Sequence, residues 1–183
     1  MVIDIMFNMN VCVYCSGNKK TPKEFTDVGY EFGSKLALNG HSLVFGGGND
    51  GMMGAVAKGV FDYGGKITAI FPEWIHEFDD PFLESSEYIK TDSMDERKNL
   101  FLEKSDVFVV APGGFGTLDE LFEVLTLKYL DRHSKKIILF NINHFYDNLL
   151  EALKEMHDDG FIREGALDIF VVVTSIDEVL QLL

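Results

Sequence analysis

Val107-Phe108-Val109-Val110-Ala111-Pro112-Gly113-Gly114-Phe115-Gly116-Thr117-Leu118-Asp119-Glu120 runs from four apolar residues through a glycine-rich turn into the helical pattern Leu121-Phe122-Glu123-Val124-Leu125. Strand, tight loop and helix in that order are half of a βαβ unit. Gly113, Gly114 and Gly116 let the backbone come close to an anion, and the helix start that follows aims unpaired N–H groups and partial positive charge at it. The stretch therefore reads as a phosphate cradle. Glu120, one turn into the helix, would overhang whatever the phosphate is attached to.

The same rhythm continues on both sides of this stretch. Val11-Cys12-Val13-Tyr14 precedes a helical pattern over 22–39, Ser42-Leu43-Val44-Phe45 one over 50–63, and Lys66 to Phe71 and Tyr88-Ile89-Lys90 lead to one over 93–104. Beyond the cradle the pattern predicts a helix over 117–131, a strand from Lys136 to Phe140, a helix over 144–158, a strand from Ile169 to Val173 and a final helix. Repeated crossovers imply a parallel sheet covered by helices on both faces, an α/β fold. Ligands of such sheets gather at the carboxyl ends of the strands, where both glycine-rich loops fall. Residues 10–183 are expected to form one domain, and 1–9, with three methionines, an extension.

Length and composition narrow the function. A chain of 183 residues with 46% hydrophobic content is long enough for a substantial core. A net charge of −14 repels nucleic acid and anionic membrane surfaces. A single nucleotide is still admissible, because local helix-end and Arg or Lys contacts can hold its one phosphate. Two cysteines cannot make a disulfide framework, the start of the chain lacks a basic-then-apolar leader, and no apolar run approaches a membrane span. The cytoplasm is the expected compartment.

Several residues could carry chemistry. Cys12 and Cys15 have C-x-x-C spacing but lie on a strand, where residues three apart point to opposite faces, and the five histidines show no paired spacing, so no metal is expected. Gly46-Gly47-Gly48-Asn49-Asp50-Gly51-Met52-Met53-Gly54 satisfies G-x-G-x-x-G, and Glu73 past the next strand could serve as a ribose-binding acid. The same glycines also suit a tight turn with close helix packing. Ser93-Met94-Asp95-Glu96 reads as a capping box. Arg97 and Lys98 lie within one turn of Met94 and Phe101, on an apolar side of their helix, where an unpaired guanidinium would cost several kcal/mol, so a carboxylate or phosphate should be close. Thr117-Leu118-Asp119-Glu120 also scans as a capping box, so on these residues alone Glu120 either caps or reacts. A helix needing only a cap does not need three glycines before it.

With these residues in view the chain resembles the Lonely Guy family, the cytokinin riboside 5′-monophosphate phosphoribohydrolases, from about Val11 to the C-terminus. Pro112 to Glu120 matches the family's P-G-G-x-G-T-x-x-E, and Glu96-Arg97-Lys98 its M-H-E-R-K stretch. Tyr14-Cys15-Ser16-Gly17, Gly46-Gly47-Gly48 with Gly51-Met52-Met53-Gly54, and Phe71-Pro72-Glu73 support the match. Asp95 stands where the family usually has histidine, and Cys15-Ser16-Gly17 replaces C-G-S in what looks like a shortened loop.

The resemblance implies a Rossmann-like three-layer α/β/α sandwich with a mainly parallel sheet, a homodimer, and hydrolysis of the N-glycosidic bond of an adenine-type nucleoside 5′-monophosphate without cofactor or metal. It makes Arg97 and Glu120 catalytic and assigns substrate contacts to Gly113, Gly114, Gly116, Thr117, Lys98, Met94, Gly47, Gly48, Ser16, Gly17 and Glu73. Members are often labelled lysine decarboxylases, chemistry for which the sequence nominates no Schiff-base lysine. Two other classes fit the cradle: a nucleotide-binding module without turnover, and a nucleosidase or deoxyribosyl transferase for other nucleoside monophosphates. Binding a phosphate does not require the Arg97 and Glu120 pair.

Overall fold

The computed structural model describes residues 8–77 and 80–183, so residues 1–7 of the expected extension lie outside it. Among the described residues seven strands form one parallel sheet: β1 (Asn10–Tyr14), β2 (Ser42–Phe45), β3 (Ile67–Pro72), β4 (Glu87–Thr91), β5 (Val107–Val110), β6 (Lys136–Phe140) and β7 (Val171–Val173). Their order is β4-β3-β2-β1-β5-β6-β7. The chain builds outward from β1 to one edge, returns to place β5 beside β1 in the register Val11–Val107 to Tyr14–Val110, and builds outward again. That reversal opens a crevice at the carboxyl ends of β1 and β5, the ligand position of open α/β sheets.

Helices α1 (Lys23–Leu38), α2 (Gly51–Asp62), α3 (Met94–Lys104), α4 (Phe115–Tyr129), α5 (Asp147–Asp158) and α6 (Ile176–Gln181) complete three layers. Side chains alternate across each strand, so Val11, Val13 and Cys15 pack with Phe32 of α1, Val56 of α2 and Val179 of α6. Cys12 and Tyr14 pack on the other face with Phe101 of α3 and Leu121 and Val124 of α4. Each fully buried side chain of this size contributes about 1.5–3 kcal/mol relative to exposure. The two cysteines thus belong to opposite core layers. Burial pushes the Cys12 thiol up to about 12 and the Cys15 thiol upward as well, which leaves both unreactive.

The elements fall where the periodicity places them, with three shifts. The last strand is shorter, Val171–Val173. α5 begins at Asp147 instead of 144, because Asn143 and His144 hold φ of 51° and 60° and cannot continue a right-handed helix. α4 begins at Phe115, two residues early, with Gly114 at its N-cap and no side-chain cap bond. Thr117 is therefore inside the first turn and caps nothing. The expected capping box at Ser93 forms only by half: its Oγ accepts from the Glu96 N–H at 3.1 Å, but the Glu96 carboxylate reaches past Ser93 to the Asp92 N–H at 2.8 Å. No helix among the described residues is long and apolar enough to cross a membrane.

Candidate active site

Three loops at the carboxyl end of the sheet surround a cleft of about 660 Å³. The loop after β5 supplies Gly114 and the first turn of α4 Gly116 and Thr117, the loop after β1 supplies Cys15 to Lys20, and the loop after β2 supplies Gly46. They are tied to one another. The Ser16 N–H donates to the Pro112 carbonyl at 2.9 Å, the Met53 N–H to the Ser16 carbonyl at 2.9 Å, and the buried Tyr146 hydroxyl to the Ala111 carbonyl at 2.8 Å. Because α4 starts directly after Gly114, the amides of its first turn are left to face the crevice. Gly113 sits under this turn, where any side chain would collide with the Thr117 hydroxyl.

Arg97 and Glu120 meet at the floor. Both are buried, at 6% and 8% exposure, and Arg97 Nη1 donates to Glu120 Oε1 at 3.1 Å. Arg97 Nε donates to the Ile70 carbonyl at the end of β3 (3.2 Å), and the guanidinium lies 4.9 Å over the Phe101 ring. Three partners on three elements fix one orientation of the guanidinium, which a lysine could not reproduce. Burial pushes the Glu120 carboxyl up to about 7; the Arg97 charge opposes this shift and Asp119 adds to it. Burial outweighs the ion pair, so Arg97 orients the carboxylate without holding it fully ionised.

The other sequence-nominated residues divide between the cleft and its surroundings. Ser16, Gly17, Gly114, Gly116 and Thr117 line it with Arg97 and Glu120. Lys98 turns outward, where its ammonium bridges Asp119 at 2.9 Å and Glu123 at 2.6 Å and so ties α3 to α4. Met94 is half-buried in the first turn of α3, beside the exposed Asp95. Glu73 pairs with Lys90 at 2.8 Å. Gly47, at φ 82°, leaves room for the Phe71 ring, and Gly48 bridges to Pro81, so these two serve the turn and its packing.

Sequence reading missed Gly46, Met53, Phe71 and Ile75 as lining residues, and Gly46 matters most: a side chain there would collide with Arg97 Nη2. It also passed over Lys19 and Lys20, whose adjacent charges in so acidic a chain were a readable signal. Lys19 pairs with Asp50 and Asp80 at 3.3 and 3.4 Å, and these hydrogen bonds push its pKa up.

A parallel sheet with a helix start at its switch point and a buried Arg–Glu pair one turn beyond defines a Rossmann-like protein with a helix N-terminus at the rim of its cleft and a carboxylate at the floor. Comparison with known proteins makes the assignment narrower. Residues 53–183 match the family described as possible lysine decarboxylase. The chain is 36% identical over 179 residues to the cytokinin riboside 5′-monophosphate phosphoribohydrolase of Mycobacterium tuberculosis, covering 98% of this chain and 95% of that one. It is 34% identical over 171 residues to the Arabidopsis thaliana phosphoribohydrolase LOG5, covering 93% and 75%. The chain belongs to this family, the Lonely Guy family. Among solved structures, a molybdenum cofactor binding protein of Rippkaea orientalis has the same fold at a TM-score of 0.73 and 22% identity, covering 97% of this chain and 96% of that one. The molybdenum cofactor carrier protein of Chlamydomonas reinhardtii has it at 0.70 and 21%, covering 96% of each.

Proposed function

We propose that the protein hydrolyses the N-glycosidic bond of an adenine-type nucleoside 5′-monophosphate, releasing free base and ribose 5-phosphate. The observation that carries this reading is the buried Arg97–Glu120 pair beside the helix start, in a chain whose relatives are phosphoribohydrolases. The 5′-phosphate sits at the first turn of α4, on the amides and hydroxyl of Gly114, Gly116 and Thr117. The ribose then lies against Glu120, one turn on. As the C1′–N9 bond breaks, its electron pair leaves with N9 and positive charge develops on the sugar. The fixed carboxylate stabilises that charge and orients the attacking water, whose oxygen bonds to C1′ while a proton goes to the departing base. Arg97 keeps the carboxylate in place.

Decarboxylation of an amino acid does not fit these residues. It needs a desolvated lysine to anchor pyridoxal phosphate, whereas Lys19 is held charged by Asp50 and Asp80 and Lys20 is exposed. The reading further makes the protein a cytoplasmic homodimer, joined along the apolar stripe of α4. Its test is chromatographic detection of free base from AMP, N6-prenyl AMP, GMP, CMP, dAMP and adenosine. Release from the adenine monophosphates and not from adenosine is expected. Stoichiometric AMP binding with no base released after prolonged incubation would make the protein a binding module instead.

A further inference from the structure

A second cleft of about 340 Å³ adjoins the first on the far side of the phosphate loop. The two share Ser16, Asn18, Lys20 and Gly114, so Gly114 is the ridge between them. The ridge is open: Gly114 is exposed, and a side chain there would meet nothing within 4 Å. At the ridge stands Lys20, whose ammonium has no hydrogen-bond or ion-pair partner among the described residues, in contrast to the doubly paired Lys19 beside it. The far wall is aromatic. Phe25 and Phe145 meet edge to face with centroids 5.9 Å apart, next to Pro22. Phe145 is still 46% exposed, although its loop is built firmly: it packs at 4.9 Å on the buried Tyr146, and the Tyr146 N–H donates to Asn141 Oδ1 at 2.7 Å.

An unpaired cation next to the phosphate seat, followed by the half-buried Phe25 ring and the exposed Phe145 ring in a recess, matches a ligand that continues past its first phosphate. We infer that the cleft is a subsite for pyrophosphate-linked nucleotides: the second phosphate at Lys20, and the sugar or ring it carries against Phe25 and Phe145. The base and its glycosidic bond stay in the first cleft against Glu120. This inference rests on the proposed seat of the 5′-phosphate, and a nucleoside monophosphate leaves the second cleft unused.

The test is binding of AMP, ADP and ADP-ribose by calorimetry to the Glu120→Gln protein, which holds ligand without turnover, alone and combined with Phe145→Ala or Lys20→Ala. ADP-ribose is expected to bind at least as tightly as AMP. Phe145→Ala should weaken ADP-ribose by about tenfold and AMP by less than about twofold, the loss of one ring contact. Lys20→Ala, at an exposed position that does not endanger folding, should lower the ratio of ADP to AMP affinity by about tenfold. Binding of AMP together with rejection of ADP-ribose would overturn the subsite and leave the hydrolase reading intact, as would equal losses for AMP and ADP-ribose in the Phe145 variant. Failure of the parent protein to bind AMP or release adenine from it would overturn the reading beneath.

Discussion

Glu120 is the residue at which stability and activity pull in opposite directions. Burial raises its pKa from the ordinary 4.5 to about 7, so between those values the folded chain keeps a proton that the unfolded chain has lost. The resulting stability is fully present below about pH 4.5 and is lost as pH rises through about 7. Hydrolysis needs the opposite, ionised state to meet a developing positive charge, so kcat/KM should climb with pH and level off above about 7. Glu120→Gln separates the two effects. It should reduce base release by about 10²–10³ or more, because the stabilising charge is gone. Its melting temperature should also fall less than the parent's between about pH 5 and about pH 8, since an amide has no proton to lose. Parallel melting-temperature profiles for the two proteins would show that Glu120 is not the buried acid described here. The need of Arg97 for an anionic partner was legible in the sequence, because a guanidinium on an apolar helix side cannot remain unpaired. The direction of Lys98 was not, since a helical pattern places a long side chain near a face without saying to which neighbour it turns.

At the scale of elements, glycines decide how closely the layers approach, and two of them make contrasting predictions. A side chain at Gly33 of α1 would strike the Val56 carbonyl of α2, in a helix pair that also meets through Gly29 and Gly59. Gly33→Ala must push the helices apart, so denaturant titration should show a loss of about 1–3 kcal/mol while the folded fraction keeps its rate of base release. A side chain at Gly46 would strike Arg97 Nη2. Gly46→Ala should therefore displace the guanidinium and cost far more in activity than in stability, although Gly46 supplies no reactive group. An active Gly46→Ala would show that the placement of Arg97 is not required. The strand and helix order was readable because period-two and helical stretches alternate cleanly between glycine-rich turns. Gly46 was read only as part of a turn, since a triple glycine looks the same whether it bends the chain or makes room for another element's side chain. The early start of α4 was missed for a related reason: Gly114 occupies the cap position without a side-chain bond, so no Ser, Thr, Asn or Asp marks it.

At the scale of the whole molecule, what remains to be accounted for is the apolar surface. Thr117, Glu120, Leu121 and Val124 turn α4 toward the sheet; beside them Leu118 and Leu125 are half-buried against the same core layer, and Phe115, Phe122 and Tyr129 continue that apolar row outward at helical spacing. Phe115 is 95% exposed and Phe122 38%, and Phe161 at 84% and Met156 at 47% add further apolar surface. Between α4, Leu153 of α5 and the segment from Ile162 to Phe170 the row borders an apolar groove of about 170 Å³. A net charge of −14 keeps copies apart in general, so these exposed apolar side chains are the candidate surface for the proposed dimer contact. A two-fold pairing of α4 with α4 would cover Phe115 and Phe122 of both copies at once, since such an interface uses one patch twice. It would also bring the first turn of α4, and with it the phosphate seat, to the edge of the interface. Phe122→Asp puts a charge into each half of that contact and a like pair across it. Sedimentation should give a dimer for the parent and a monomer for the variant at the same concentration, with an unchanged circular dichroism spectrum. A parent that sediments as a monomer, or a variant that stays dimeric, would mean that the α4 stripe is not the contact. With the dimer formed there, the variant should also bind AMP more weakly, because the helix whose first turn is the proposed phosphate seat would have lost its support.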